Sequence, residues 1–279
     1  AVLLVPKKDG TARFAIDMRL LNECSVRFQW PMPRIDDALA SLEGNKFFTA
    51  IDMASAYWQV PIAEEDKHKT AFRCHMGQFE FNVMPFGIAN GGAFFQRLMD
   101  TALGSLQYQC ALSYLDDCLV HSETFSQHLN VDLPNVIANF RKAGFHFKST
   151  KCQFALPSVA YLGHVISAAG IAPDPKKIAS IELATVTDRK ELRSFQGLMS
   201  YYRKYVKGFA RLSKPITDFL KTKKKFEDRG EEVNTAINEL KNILTSEPIL
   251  CHPNFDEKFE VHCDAGPKGL GAALCQPIG

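Results

Sequence analysis

Two adjacent carboxylates, Asp116 and Asp117, lie between two apolar segments, residues 110–113 and 118–120, and they restrict the fold more than any other feature. Neighbouring side chains of an extended strand point to opposite faces of a sheet. Adjacent carboxylates therefore converge only at a hairpin turn, where their charges repel each other unless a cation neutralises them. The sequence predicts a β-hairpin that presents oxygen ligands to a divalent metal ion.

A third carboxylate, Asp52, ends the apolar segment 47–51 and is predicted at the end of another strand. Such a set of carboxylates suits two Mg²⁺ ions about 3.5–4 Å apart, an arrangement that catalyses in-line phosphoryl transfer. The alternative for an isolated Asp-Asp pair is a solvated turn, because aspartate is common in turns. The residues around the pair therefore decide between a metal site and an ordinary turn.

Strands and helices are mixed along the chain without regular βαβ alternation. The predicted strands are 11–17, 47–53, 70–74, 79–83, 111–120 (including the hairpin turn) and 259–263; the predicted helices are 34–42, 93–103, 126–142, 174–183, 188–205, 212–220 and 233–244. This mixture predicts an α+β fold rather than a doubly wound sheet. Pro134 lies inside the predicted helix 126–142, where it predicts a kink or a broken first turn.

The net charge of +2 conceals a strongly basic segment. Residues 203–225 hold nine Lys or Arg residues and a single acid, Asp218. Such a run is either a solvated helix face or a surface that contacts phosphates. The 46% hydrophobic content excludes a disordered chain, and the sequence has no apolar run of membrane-spanning length. We therefore expect a soluble intracellular protein without a membrane partner, and both ends of the sequence are consistent with a fragment of a longer polypeptide.

A series of motifs resembles the reverse transcriptase region of gypsy-type LTR retrotransposon Pol polyproteins, in that family's order and over essentially the whole chain. They are Val5-Pro-Lys-Lys-Asp-Gly10, Arg13-Phe-Ala-Ile-Asp-Met-Arg-Leu-Leu-Asn22, Trp30-Pro-Met-Pro-Arg-Ile-Asp-Asp37, Phe48-Thr-Ala-Ile-Asp-Met-Ala-Ser-Ala-Tyr57, Lys69-Thr-Ala-Phe-Arg73, Val83-Met-Pro-Phe-Gly87, Phe95-Gln-Arg-Leu-Met99, Tyr114-Leu-Asp-Asp117, Lys151-Cys-Gln-Phe154, Tyr161-Leu-Gly-His-Val-Ile-Ser167, Glu191-Leu-Arg-Ser-Phe195 and Gly197-Leu-Met-Ser-Tyr-Tyr-Arg203.

The resemblance implies a right-hand polymerase that copies an RNA or DNA template by extending a DNA or RNA primer with dNTPs. It implies fingers and palm at 1–170, a thumb at 171–225, a connecting segment at 226–255 and the truncated start of an RNase H-like domain at 256–279. The implied cofactor is two Mg²⁺ ions, with Mn²⁺ as a substitute. The implied location is the cytoplasm, in a virus-like particle, or the nucleus, together with other parts of the Pol polyprotein.

The resemblance also assigns roles to individual residues. Asp52, Asp116 and Asp117 would be the catalytic metal ligands, with the main-chain carbonyl of Met53 as a further ligand. The dNTP would be bound by Lys7, Lys8, Arg13, Ala56, Tyr57 and Phe86, and Tyr57 would select deoxynucleotides by excluding a 2′-hydroxyl. The primer and template would be contacted by Leu162, Gly163, His164, Arg203, Lys204 and Lys207. Asp264 would be the first carboxylate of the RNase H-like site, whose other carboxylates lie beyond the sequence, so no RNase H activity is expected.

Some positions depart from the family pattern. Ala56 and Trp58 replace the more usual Gly and His around Tyr57, and Gly91-Gly92 replaces Ala-Pro before the palm helix. These departures leave open a catalytically weak or inactive nucleic-acid-binding remnant of a retroelement as the alternative. A polymerase with a different template preference also stays open. A zinc site is disfavoured, because the Cys and His residues lack the spacing of a zinc finger.

Overall fold

The computed structural model describes residues 2–6, 10, 12–183, 185–246, 250–266 and 269–276. The chain divides into two compact units, Ala1–Leu162 and Gly163–Gly279. Both contain helices and strands, which confirms the predicted α+β class. The four-part division into fingers and palm, thumb, connecting segment and RNase H-like start stays a prediction.

Nine strands and five α-helices form the described part of the first unit. The strands are β1 Val2–Pro6, β2 Ala12–Ile16, β3 Phe47–Asp52, β4 Phe72–Cys74, β5 Gly77–Phe79, β6 Ala111–Tyr114, β7 Asp117–Ser122, β8 Gln153–Leu156 and β9 Ser158–Tyr161. The helices are α1 Arg19–Cys24, α2 Ile35–Ala40, α3 Gly91–Leu103, α4 Phe125–Gln127 and α5 Leu133–Lys142. Strands β1 and β2 pair as one antiparallel hairpin, and β4 and β5 as another.

A four-stranded sheet with the order β6-β7-β3-β8 carries the predicted carboxylates. Strand β7 is antiparallel to both β6 and β3, and β3 also pairs with β8. The apolar residues of β3 and β7 explain this central position, because Phe48, Ile51 and Val120 are each at most 2% exposed. Helices α3 and α5 bury Phe95, Met99, Val136 and Phe140 in the same core as the sheet.

The predicted helix 126–142 continues through Pro134 without a break. Residues His128–Asp132 form a π-helical turn between α4 and α5, just before Pro134, whose missing N–H cannot donate to that turn. The expected irregularity near Pro134 is present as a π-turn, and the alternative of a broken first turn is wrong. The π-turn directs the buried side chain of His128 toward the sheet, where its ring nitrogens lie 2.7 Å from Thr49 Oγ1 and 2.9 Å from Ser122 Oγ.

The second unit contains four strands and four helices in its described residues. They are β10 His164–Ser167, β11 Gly170–Pro173, α6 Pro175–Leu183, α7 Arg189–Tyr201, α8 Phe209–Lys221, α9 Glu231–Thr245, β12 Glu260–Gly266 and β13 Gly269–Cys275. The helix predicted at 188–205 ends at Tyr201, and a short 3₁₀ turn follows it at Arg203–Tyr205. Strands β12 and β13 form the hairpin expected near the C-terminal end of the sequence. No helix in the described ranges has the length and apolarity needed to cross a membrane.

Candidate active site

The hairpin predicted from the Asp-Asp pair is present. Strands β6 and β7 pair so that Tyr114 lies opposite Asp117, which leaves Leu115 and Asp116 as the two turn residues. The φ of Leu115 is +53°, a left-handed value that two-residue hairpin turns commonly require. A leucine in this conformation is strained by about 1–2 kcal/mol, so neighbouring contacts have to hold it.

Strand β3 brings Asp52 beside this hairpin. Asp52 is paired with Asp117 in the β3–β7 register, and the N–H of Met53 lies 3.4 Å from the carbonyl oxygen of Asp116. The three carboxylates predicted from sequence therefore lie at one end of one sheet. Asp52 and Asp117 both line a cavity of about 180 Å³ next to Lys151, Tyr161 and Leu162.

Burial and neighbouring negative charges both act on the carboxylates of this cavity. Partial burial and the charges of Asp116 and Asp52 raise the pKa of Asp117 to about 6, and Lys151 acts in the opposite direction. The Lys151 ammonium lies 3.2 Å from Asp52 Oδ2 and neutralises part of the charge. All four of these residues belong to the first unit.

The carboxylates fit a divalent cation by their chemistry. Asp52, Asp116 and Asp117 offer hard oxygen ligands, and burial together with the charges of Asp116 and Asp52 raises the pKa of Asp117 despite the opposing charge of Lys151. Within the described residues, no three His, Cys, Asp or Glu side chains are already gathered closely enough to share one ion. The three carboxylates are therefore chemically suited to Mg²⁺, but in this structure they do not all converge on one ion position.

Aromatic side chains lie beside the carboxylates. The half-buried ring of Tyr57 has its centroid 5.6 Å from that of Phe86 and 5.8 Å from that of Phe95. Burial and the charge of Asp116 raise the pKa of Tyr57, which shows that its phenol lies within electrostatic reach of the turn. Ala56 is buried at 7% exposure. The structure therefore brings Tyr57 into contact with Phe86 and places the Tyr57 phenol within electrostatic reach of Asp116, and their assignment to the dNTP stays a prediction.

Several predicted site residues lie outside the described part of the structure. They are Lys7 and Lys8, and the side chains of Arg13 and Asp264. Their assignments stay predictions. Met53 is buried, and the assignment of its carbonyl as a metal ligand also stays a prediction.

The predicted primer and template residues divide between the two units. Leu162 lines the cavity of Asp52 and Asp117 in the first unit. In the second unit, the carbonyl of Gly163 accepts a hydrogen bond of 2.9 Å from the Tyr202 hydroxyl, and His164 is 1% exposed with Nδ1 2.9 Å from Tyr205 Oη. The His164 side chain is thus buried in the second unit, and its assignment to primer contact stays a prediction.

The basic residues Arg203, Lys204 and Lys207 follow α7. Arg203 and Lys207 are exposed, and the Lys204 ammonium lies 5.5 Å from the centre of the Tyr205 ring.

Two other residues near the carboxylates, Lys151 and Gln96, were assigned no role from the sequence. Both belong to motifs that resemble the family, Lys151-Cys-Gln-Phe154 and Phe95-Gln-Arg-Leu-Met99. These motifs were the sequence signal that could have identified the two residues.

Comparison with known proteins places this site in a family. Residues 5–166 match the family described as "Reverse transcriptase (RNA-dependent DNA polymerase)", and residues 230–279 match the "RNase H-like domain found in reverse transcriptase". The chain is 36% identical over 279 residues to the retrovirus-related Pol polyprotein from transposon 297 of Drosophila melanogaster, covering 98% of this chain and 26% of that protein. It is 34% identical to the transposon Tf2-3 polyprotein of Schizosaccharomyces pombe, covering 99% of this chain and 21% of that protein. The chain thus spans about a quarter or less of these relatives.

Solved structures agree on the fold. The foamy viral protease-reverse transcriptase in complex with double-stranded DNA matches with a TM-score of 0.87 at 24% identity, covering 98% of this chain and 48% of that chain. The same viral protein in complex with an RNA/DNA hybrid matches with a TM-score of 0.83 at 23% identity, covering 99% of this chain and 39% of that chain. These matches confirm the predicted reverse transcriptase fold with the start of an RNase H-like domain. The chain belongs to the reverse transcriptase family of RNA-directed DNA polymerases, in the form that retrotransposon Pol polyproteins contain.

Proposed function

We propose that this chain is the polymerase part of a gypsy-type retrotransposon Pol polyprotein and extends a primer with dNTPs by two-metal phosphoryl transfer. The observation that carries the proposal is the position of Asp52 opposite Asp117, with Asp116 in the adjoining hairpin turn. Three carboxylates lie at one sheet end, and burial together with the charges of the other two raises the pKa of Asp117, so this arrangement is unfavourable unless cations bind there.

In this proposal Asp52, Asp116 and Asp117 hold two Mg²⁺ ions, and Mn²⁺ can replace them. When bound, the ions would lower the pKa of the primer 3′-hydroxyl and stabilise charge on the reacting phosphate. The 3′-oxygen forms a bond to the α-phosphorus of the dNTP, and the bond to pyrophosphate breaks. Two of the chain's own residues, Tyr57 and Phe86, position the sugar and base of the incoming nucleotide, and the Tyr57 ring excludes a 2′-hydroxyl.

The proposed partners are an RNA or DNA template, a primer, dNTPs and the remaining parts of the Pol polyprotein. The related foamy viral protein binds double-stranded DNA and an RNA/DNA hybrid in its solved structures, which supports nucleic acid as the partner. Arg203, Lys204 and Lys207 would contact backbone phosphates without reading sequence. In the same proposal the protein acts in a cytoplasmic virus-like particle or in the nucleus, and Asp264 belongs to the RNase H-like site.

The test is extension of a DNA primer on an RNA template, with and without Mg²⁺, by the wild type and by Asp116→Asn. We expect Mg²⁺-dependent extension by the wild type and at least about a thousand-fold lower rate in the variant, because a metal ligand is lost. A folded wild type that binds the primer–template but never extends it would instead support the nucleic-acid-binding remnant. Extension that is undiminished in Asp116→Asn would refute the site assignment.

A further inference from the structure

We propose that Gln96 is a positioning residue that fixes the turn bearing the catalytic carboxylates. The inference rests on the proposed polymerase function and adds a residue of helix α3 to it. Gln96 is 0% exposed, although it is a polar residue on an amphipathic helix. A buried side-chain amide is costly unless its polar atoms are hydrogen-bonded, so its partners indicate what it does.

The carbonyl oxygen of the Gln96 side chain binds the turn directly. The backbone N–H of Leu115 donates to Gln96 Oε1 at 2.7 Å. Leu115 is the turn residue with φ of +53°, and Asp116 and Asp117 follow it. This hydrogen bond therefore fixes the peptide that begins the turn, and the direction of that peptide determines where the next two side chains point.

The amide nitrogen of Gln96 fixes the orientation of the side chain. Gln96 Nε2 donates to Asp100 Oδ1 at 2.8 Å and lies 3.1 Å from Ser113 Oγ. A carboxylate only accepts hydrogen bonds, so the nitrogen of the amide has to face Asp100 and the oxygen has to face Leu115. Asp100 is itself held by the Trp30 indole, whose Nε1 donates to Asp100 Oδ2 at 2.7 Å.

The hydrogen bond from Leu115 N–H to Gln96 Oε1 helps to hold Leu115 in its strained backbone conformation. A non-glycine residue with left-handed φ persists only where the surrounding structure holds it. Without the Gln96 acceptor, the Leu115 peptide is free to rotate toward an unstrained conformation, and the carboxylate of Asp116 moves with it. Displacements of about 1 Å at a reacting centre can lower a rate by about 10²-fold.

Two substitutions at Gln96 separate positioning from general stability. Gln96→Met keeps the length of the side chain but neither accepts nor donates an amide hydrogen bond. Gln96→Glu keeps an acceptor for Leu115 and, when protonated, a donor for Asp100. The matched control is Thr70→Val, because Thr70 is also buried, and its Oγ1 accepts the backbone N–H of Phe81 at 2.9 Å.

We expect Gln96→Met to lower kcat for primer extension by about 10- to 100-fold while the KM for dNTP changes less than about two-fold. Hydrogen exchange of the Leu115 amide, followed by NMR without metal or nucleic acid, should accelerate by at least about ten-fold because its buried acceptor is gone. Gln96→Glu should regain activity relative to wild type as the pH falls and the carboxyl is protonated. Thr70→Val should change neither kcat nor the exchange of Leu115.

Three results would overturn the positioning role. They are an unchanged Leu115 exchange rate in Gln96→Met, an unchanged kcat in the folded variant, and a kcat loss that Thr70→Val reproduces at equal thermal stability. If the wild type fails to extend primers, the proposed function fails, and the amide exchange of Leu115 still decides whether Gln96 holds the turn.

Discussion

Asp52 and Asp117 are paired residues of the β3–β7 ladder, so two negative charges face each other at the end of a buried sheet. Opposed like charges destabilise antiparallel strands. The Lys151 ammonium, 3.2 Å from Asp52, offsets part of this repulsion, and burial together with the charges of Asp116 and Asp52 raises the pKa of Asp117. Both effects lead to measurable predictions.

The pKa of Asp117, about 6 in the folded chain against an ordinary value of 3.8, makes stability depend on pH. The folded state retains a proton that the unfolded state loses, so this contribution is full below pH 3.8 and is lost as the pH rises through about 6. We expect the Tm of Asp117→Asn, relative to wild type, to increase between pH 4 and pH 7. Calorimetry at several pH values checks it, with Asp218→Asn as the surface control. A constant difference would contradict the raised pKa.

Replacing Lys151 by Met should raise the pKa of Asp117 further, because the Lys151 charge lowers it. The effect on the free energy of unfolding should stay below about 1 kcal/mol, since the Lys151 side chain is 58% exposed and exposed ion pairs contribute little. NMR titration of the Asp117 carboxyl measures the shift. Lys148→Met removes a charge from the same segment as a control, and an equal shift in both variants would argue against a specific Lys151 effect.

Tyr57→Val should reduce discrimination against ribonucleotides by about 10- to 100-fold, because the ring that we propose excludes the 2′-hydroxyl is replaced by a smaller side chain. Tyr57→Phe keeps the ring and its contacts with Phe86 and Phe95, so it should retain the discrimination. The ratio of kcat/KM for dNTP and rNTP measures this selectivity. If Tyr57→Val remains as selective as the wild type, another residue excludes the hydroxyl.

Within the basic segment 203–225, two sets of three basic residues can be neutralised separately, and each substitution removes the same charge. Changing Arg203, Lys204 and Lys207 to Gln should reduce the slope of log affinity against log salt by about 2–3, since each phosphate contact contributes about 0.9 on duplex DNA. Changing Lys223, Lys224 and Lys225 to Gln removes the same charge from exposed residues that we expect to be solvated. Fluorescence anisotropy at several salt concentrations distinguishes them, and equal slopes would place the binding surface elsewhere.

Gly170 and Gly197 should respond in opposite ways to alanine. A Cβ at Gly170 would lie 2.2 Å from the Leu250 carbonyl oxygen, and its φ is +134°, so Gly170→Ala should destabilise the chain by at least about 3 kcal/mol. Gly197 lies inside α7 with nothing within 4 Å of an added Cβ, so Gly197→Ala should stabilise by up to about 1 kcal/mol. Urea denaturation measures both, and a tolerated Gly170→Ala would mean that the contact with Leu250 is not required.

The sequence predicted the parts of the site that depend on local pattern. The hairpin at Asp116, the strand ending at Asp52 and the α+β class are confirmed, because strand periodicity and adjacent carboxylates are visible in short windows. The ion pair between Asp52 and Lys151 was not predictable from such windows, since the two residues are 99 positions apart in sequence and meet only in the folded chain. Gln96 was missed for a different reason, because a glutamine on an amphipathic helix has the pattern of an exposed residue.

The observed ends of some strands and helices differ from the predicted ends, because local backbone geometry outweighs the pattern of apolar residues. The strand predicted at 70–74 starts at Phe72, because a 3₁₀ helix occupies Glu64–Thr70. The strand predicted at 79–83 is displaced toward the N-terminus, to Gly77–Phe79, because β4 and β5 pair across a short turn. Helix α8 begins at Phe209 rather than at 212, directly after Gly208 with φ of +70°. These shifts leave the carboxylates unaffected.

The hydrogen bonds of His128 affect the register of the strands that carry Asp52 and Asp117. His128 binds Thr49 of β3 and Ser122 of β7, so it ties the two strands together three residues before Asp52 and five residues after Asp117. A slip of one residue between these strands would turn Thr49 away from His128 and would turn Asp52 to the other face of the sheet. The imidazole therefore fixes the register of β3 and β7, and this register keeps Asp52 opposite Asp117.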